Sequence, residues 1–475
     1  MTTFNQRLLI IFLFFSIILF FGFKTQMPEG VSYEGNLRKD SNVEFLYDLN
    51  YEKDNQVMKE QEIFKEQLAL IEAAEEFIIL DLFLFNDDYD RETAIDYPNL
   101  SKELTDQLIA KKEEISNIKI LFITDEINNF YGVYESQNIK KLKENDIDVV
   151  LTDLEKIRDS NPVYAGLWRT SLKWFGTAGK GWLANPFSPD SPKVTARGYL
   201  KLFNFKANHR KVILSEKNAI VTSMNPHDAS GHHSNIAFKL EGSILKDILE
   251  SELKVAQFSG YEDIEAFQQI EIRPSTKNNS VQSQLVTEGK IKDAILDAIK
   301  KTEEKDEIRM GMFYLSHREI VEELIAASKR GVDLKLILDP NKDAFGMKKN
   351  GIPNRQVAQE IQKKTGKNNL IRWYDTDGEQ FHTKLLLVNQ PEQSIIIGGS
   401  ANFTRRNLDD FNLENNLVIT AKKDQPIVKE MNAYFNQLWT NNDGIYTVDY
   451  EEYESESSFK MILYRFQEWS GLSSF

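Results

Sequence analysis

The alternation of apolar and polar positions divides the chain into an anchor-like start and two similar halves. From Leu8 to Phe23, "LLIIFLFFSIILFFGF", no residue is charged, and a single cation, Arg7, precedes the run. Sixteen helical residues span about 24 Å, slightly short of a hydrocarbon core of about 30 Å. No small-x-small cleavage site follows, because the sequence continues Lys24-Thr25-Gln26-Met27. Residues 1–30 therefore read as an uncleaved single-pass membrane anchor. Cations flank it on both sides and mark its orientation weakly; an extracytoplasmic body on the cell membrane is the favoured arrangement. No later segment is long and apolar enough to span.

From residue 42 the period changes, and the same order of elements occurs twice. "EIFKEQLALIEAAEEFIILDLFLF" predicts a helix at 3.6-residue spacing and then a strand from Phe77 to Phe85. "LSKELTDQLIAKK" with "NIKILFITD", and "NIKKLKENDIDVVLTD", supply two more helix–strand pairs. "GKIKDAILDAIKKTEEKDEIRMGMFYL", "REIVEELIAASKRGVDLKLILDPN" and "QVAQEIQKKTGKNNLIRWYD" repeat them. Strands alternating with helices of this length predict crossover units and largely parallel sheets.

After the third pair, each half carries the same polar constellation. The first has His209 and Lys211, an apolar strand, a turn, a second apolar strand, then Ser223 and Asn225. The second has His382, Lys384, Ser400 and Asn402. From His to Asn is 16 residues in one half and 20 in the other, and the extra residues are assigned to the turn "VNQPEQ". A further polar residue recurs downstream, Asn235 in "HHSNIAF" and Glu414 in "FNLENNLVI". One His-x-Lys is weak evidence; two at equivalent places in an internal repeat predict one site built from both halves.

The chemistry open to such a site follows from its residue types. Neutral imidazole is a nucleophile and imidazolium a general acid, so two imidazoles divide those roles and exchange them in a second step. Paired lysines and asparagine amides offer cations and neutral donors to the non-bridging oxygens of a phosphodiester. The set points to phosphoryl transfer through a phosphohistidine, with no metal and no cofactor called for. The absence of cysteine rules out disulfides, thiolate metal sites and a cysteine nucleophile. A net charge of -15 argues against broad, sequence-independent binding of nucleic acid.

At these residues the chain resembles the phospholipase D superfamily, whose signature is His-x-Lys, four residues, then Asp, with Gly-Ser-x-Asn often downstream, in two copies. The resemblance implies an α/β fold of two α/β/α layered halves in a pseudo-twofold bilobal domain, plus the amino-terminal anchor. It implies catalytic His209, Lys211, Asn225, His382, Lys384 and Asn402. Ser223, Asn235, Ser400 and Glu414 are supporting, together with Glu216 and Asn389, which stand where the family has Asp. The first copy, "TSMNP", also lacks the glycines that precede Ser400. The expected division is an anchor at 1–30, halves at 42–270 and 280–445, and a C-terminal extension at 446–475.

The choice of substrate rests on the anchor and on a basic aromatic insert, 160–205, that the second half lacks. From residue 160 to Lys211 there are nine Lys and Arg against one acid, Asp190, interleaved with Trp168, Trp174, Phe175, Trp182, Phe187, Tyr199 and Phe203. Cations among amphipathic aromatics suit a lipid interface; they also suit single-stranded nucleic acid. The expected partner is therefore a phospholipid membrane and its lipids, with a phospholipase D or cardiolipin synthase type of reaction. A metal-independent nuclease is the alternative. A monomer is expected, since one chain holds both motifs. His227, His232 and His233 with Asp228 raise a metal site that no second cluster completes. His317 reads as a helix-start residue near the strand ends.

Overall fold

The computed structural model of the chain describes residues 3–92, 95–272, 281–344, 347–367, 370–455 and 457–473. Each half is built on one eight-stranded sheet. Across the first sheet the strands are Gln56–Glu60, Asn42–Lys53, Asn235–Glu241, Ala219–Thr222, Lys211–Ser215, Phe77–Leu82, Lys119–Thr124 and Asp148–Leu151. Across the second they are Gln282–Thr287, Asn415–Lys422, Gln393–Gly399, Lys384–Asn389, Glu307–Met312, Asp333–Leu338, Ile371–Tyr374 and Thr447–Asp449. The orders coincide once Gln56–Glu60 and Thr447–Asp449, extra strands at opposite edges, are set aside. Thr447–Asp449 belongs to the segment expected to be a C-terminal extension, yet it pairs with Ile371–Tyr374.

The sheets are mixed rather than largely parallel. Helical crossovers make three strands of each half parallel: Phe77–Leu82, Lys119–Thr124 and Asp148–Leu151, and their counterparts. The His-x-Lys strands run the other way and continue as antiparallel meanders. A short turn can join only antiparallel neighbours. Residues 216–218 and 390–392 form turns of equal length, so the four extra residues of the second copy do not lie in its turn. They lengthen its two strands, Lys384–Asn389 and Gln393–Gly399.

Apolar stripes on Ile63–Ala73, Leu100–Glu114 and Gln137–Glu144 bury one face of the first sheet. Gly289–Lys300, Arg318–Lys329 and Asn354–Thr365 do so for the second. A third core lies between the sheets and includes the helices Ile244–Phe258 and Pro426–Thr440. Here the sheets touch directly: a Cβ on Gly398 would stand 2.9 Å from the Phe238 ring of the other half. That approach explains the glycine at 398. The helix Thr3–Lys24 is long and apolar enough to cross a membrane.

Candidate active site

Both His-x-Lys motifs lie at the carboxyl ends of the parallel strands, where crossover folds leave room for ligands. Each lysine opens its strand, Lys211 opposite Leu82 and Lys384 opposite Met312. Each histidine therefore stands just beyond the sheet. Asn208 bridges in parallel to Leu413, and Ser234 to Phe381, tying the two ends together across the seam.

The histidines are held by the opposite half. His209 Nδ1 lies 2.8 Å from Glu414 Oε1, and His382 Nδ1 lies 3.1 Å from Asn235 Oδ1. Behind these partners, Ser400 Oγ donates to Glu414, and Ser223 Oγ donates to Asn235 Oδ1 at 3.3 Å. With Nδ1 engaged, Nε2 is the ring nitrogen left for chemistry. The lysines repeat the symmetry. Lys211 Nζ donates to the His209 carbonyl at 2.7 Å and Lys384 Nζ to the His382 carbonyl at 2.8 Å. Each ammonium lies over an aromatic face, Phe83 at 5.1 Å and Phe313 at 5.2 Å.

His209, His382, Asn225 and Asn402 line one cavity of about 350 Å³. The lysines, Glu414 and Asn235 are buried behind that lining. Burial is the largest influence on the two imidazoles and the two ammonium groups, because desolvation disfavours charge. It pulls His209 down to about 4 against the opposing pull of Glu414. His382 falls well below its usual value, through burial and then the Lys384 ammonium. Burial brings Lys211 down to about 7, and burial with the Lys211 charge brings Lys384 well down. Neither lysine is ion-paired among the described residues, so an incoming anion would restore the charged forms of both.

Residues 295–439 match the family model described as "Cardiolipin synthase, PLD-like domain". This stretch, in the second half, is similar to a phospholipase D-like domain. The phosphatidylserine synthase of Haemophilus influenzae Rd KW20 superposes with a TM-score of 0.56 at 12% identity, over 90% of this chain and 94% of that one. At that identity the likeness is one of fold, and it covers both halves of the chain. A polyphosphate kinase from Porphyromonas gingivalis aligns over 90% of this chain and 53% of its own, with TM-score 0.42 and 11% identity. No curated protein sequence matches the chain.

Two of the expected supporting residues stand away from this cavity. Glu216 accepts hydrogen bonds from the backbone amides of Glu75, Glu76 and Phe77, in the chain that enters the strand Phe77–Leu82. Asn389 donates to Glu307 and Asn432 at 3.0 and 2.9 Å. Both lie at the far ends of their strands, five residues beyond the lysines, or about 16 Å at 3.3 Å per residue.

The histidine cluster is dispersed. His227 contacts Ser230 Oγ and the Asp88 carbonyl, His232 lies beside Lys59, and His233 Nδ1 accepts from the Gln380 amide. Among the described residues no three His, Asp or Glu side chains are grouped to hold a metal. His317 precedes the helix Arg318–Lys329 and meets Asp409 at 3.2 Å.

The strand expected to reach Phe85 ends at Leu82, which frees Phe83 and Leu84 to line the cavity. Phe83 and Phe313 are site residues that spacing alone did not single out, although both stand six residues after the start of equivalent strands. Arg406 and Asn407 were also missed. Arg406 lines the cavity, and Asn407 Nδ2 donates to Glu414.

The insert roofs the site with Pro186, Phe187, Leu202 and Phe205. Its positive island is partly neutralised from outside the segment. Arg169 and Lys206 pair with Asp159, Lys173 with Glu155, and Lys201 with Glu126. Trp174, Phe175 and Trp182 are exposed, whereas Trp168 is buried.

Proposed function

We propose that this protein is a membrane-anchored phosphodiesterase or phosphatidyltransferase that acts on phospholipids through a phosphohistidine. The observation that carries the reading is the meeting of His209 and His382, from different halves, in one cavity with Asn225 and Asn402. One imidazole Nε2 attacks phosphorus, and the P–O bond to the leaving alcohol breaks as the second imidazolium supplies its proton. In the second step that imidazole takes a proton from water or an alcohol. The resulting oxygen attacks phosphorus, and the P–N bond breaks. Lys211, Lys384 and the asparagine amides stabilise charge on the non-bridging oxygens. The substrate's own negative charge raises the proton affinity of the buried imidazoles, which supplies the acid form that the empty site disfavours.

A phospholipid is favoured over a nucleic acid on three grounds. The cavity roof is apolar, part of the basic island of the insert is paired with carboxylates, and the amino-terminal helix meets the length and hydropathy of a span. The descriptions of the matching domain and of the structural neighbour, a cardiolipin synthase domain and a phosphatidylserine synthase, agree with that choice. The test is incubation of the purified protein with labelled phosphatidylglycerol, phosphatidylcholine and single-stranded DNA, each with and without glycerol. Release or exchange of a lipid head group is expected. Cleavage of DNA alone would replace this reading with the nuclease.

A further inference from the structure

The helix Ser458–Ser470 is amphipathic with its apolar side turned outwards. Tyr464 and Glu468 face the body, where the Tyr464 hydroxyl donates to the Ser316 carbonyl and Glu468 accepts from Ser316 Oγ at 2.7 Å. Phe459, Ile462, Phe466 and Trp469 are 50–74% exposed, and Leu472 beyond the helix is 42% exposed. Spacings of three, four and three residues put those four side chains in a stripe about 80° wide at 100° per residue. Exposed aromatics and aliphatics in such a run mark an interaction surface. The nearby cations are engaged with protein: Lys460 with the Asn350 carbonyl and Arg465 with Glu360. The stripe is therefore apolar and not basic.

Its position says what covers it. Gly471 caps the helix so closely that a Cβ there would meet the Ser160 carbonyl oxygen at 2.6 Å. Two residues on, Pro162 packs against the last turn of the amino-terminal helix, where a Cβ on Gly22 would meet the Pro162 carbonyl oxygen at 1.8 Å. One turn earlier, Gly166 and Ile18 are equally close. The cap of the C-terminal helix and the end of the candidate membrane span thus share the Ser160–Gly166 segment as a neighbour. The same cap reaches the site: Arg405 donates to the Trp469 carbonyl at 2.8 Å, and the adjacent Arg406 lines the cavity.

We propose that Ser458–Ser470 is a second membrane contact, lying in the plane of the bilayer with Phe459, Ile462, Phe466 and Trp469 among the acyl chains. The inference rests on the anchored reading above and goes beyond it. A transmembrane helix alone leaves the body free to swing; a second contact fixes which side of the body faces the lipid. Because the stripe carries no free cation, its binding does not require anionic lipid and does not fade with salt.

The cysteine-free sequence allows a clean test on the full chain. Phe12→Cys, Ile462→Cys and an exposed reference, Lys140→Cys, are each labelled with an environment-sensitive fluorophore. The proteins are reconstituted into phosphatidylcholine vesicles with and without doxyl-labelled lipid. Quenching at 462 roughly fivefold above the reference, unchanged in 1 M salt, is expected for a helix seated below the head groups. Quenching at 12 but not at 462 overturns the proposal and leaves the anchor standing. Quenching at neither position removes the anchored reading and the proposal with it. Disulfide formation between chains by the unlabelled Ile462→Cys protein under an added thiol oxidant, with no quenching of its labelled counterpart, overturns it in favour of a second copy of this chain.

Discussion

His209 and His382 occupy equivalent places in two halves of matching strand order, yet they face different partners. His209 meets the carboxylate of Glu414, and His382 the neutral amide of Asn235. The lysine below, the aromatic ring under the lysine and the serine behind the partner are the same in both. Burial depresses both imidazoles, but only His209 has a carboxylate pulling the other way. The residue between His and Lys differs too. Arg210 is buried between Glu252 and Glu288, whereas Thr383 approaches the Tyr434 hydroxyl at 3.4 Å. A symmetric scaffold thus gives its two imidazoles different electrostatic partners, a difference that the proposed two-step acid–base chemistry would use.

The lysines are the parts the halves share, so removing either should cost about the same. Lys211→Met and Lys384→Met should each lower kcat by about 10²–10³-fold, as when one preorganised donor to a charged transition state is lost. The alkaline side sharpens this. Lys211, brought down to about 7 by burial, loses its charge as pH rises through that value. The kcat/KM of the wild type should therefore fall above about pH 7.

The partners are the parts that differ. Glu414→Gln removes the carboxylate that opposes burial at His209, so its proton affinity falls further. Activity should drop about 10–100-fold, and the limb of the pH profile that His209 controls should move to lower pH. Asn235→Asp adds a carboxylate beside His382 and should move the limb that His382 controls to higher pH. Equal and opposite shifts measured in parallel profiles would locate the asymmetry in these two side chains; identical profiles would remove it.

The smallest effects are expected at Glu216 and Asn389. Glu216→Ala strands three backbone amides and should cost about 1–3 kcal/mol of stability in denaturant unfolding. Turnover of the folded protein should change by less than about threefold, because the carboxylate is a strand length from the imidazoles. Asn389→Asp should behave likewise, since it faces Glu307 rather than the cavity.

Periodicity and spacing made much of this legible. The helix–strand pairs and the recurrence of His-x-Lys with Ser-x-Asn mark local features, set by side-chain alternation and by residues at strand ends. Asn235 and Glu414 were visible as a recurring polar position. Their exchange across the seam was not, because no spacing within one half records which half a side chain faces. The hairpin strands were misread for a similar reason. Extra residues in "VNQPEQSIII" can lengthen either a turn or the strands, and only pairing with Asn415–Lys422 decides. Counting cations overstated the insert, since Asp159, Glu155 and Glu126 lie outside it in sequence and beside it in space. The strand Thr447–Asp449 is too short to carry a period at all.

The central claim is that two half-sites make one phosphoryl-transfer centre, and single and double histidine variants test it most directly. Turnover of the wild type, His209→Ala, His382→Ala and the double variant is measured on the same labelled phospholipid. Residues acting as one unit are strongly non-additive. Each single variant is therefore predicted to fall to a common floor, at least about 10³-fold below wild type, with the double variant no lower. If each single variant instead keeps about half of the wild-type rate and only the double is inactive, the halves work separately and the account is wrong.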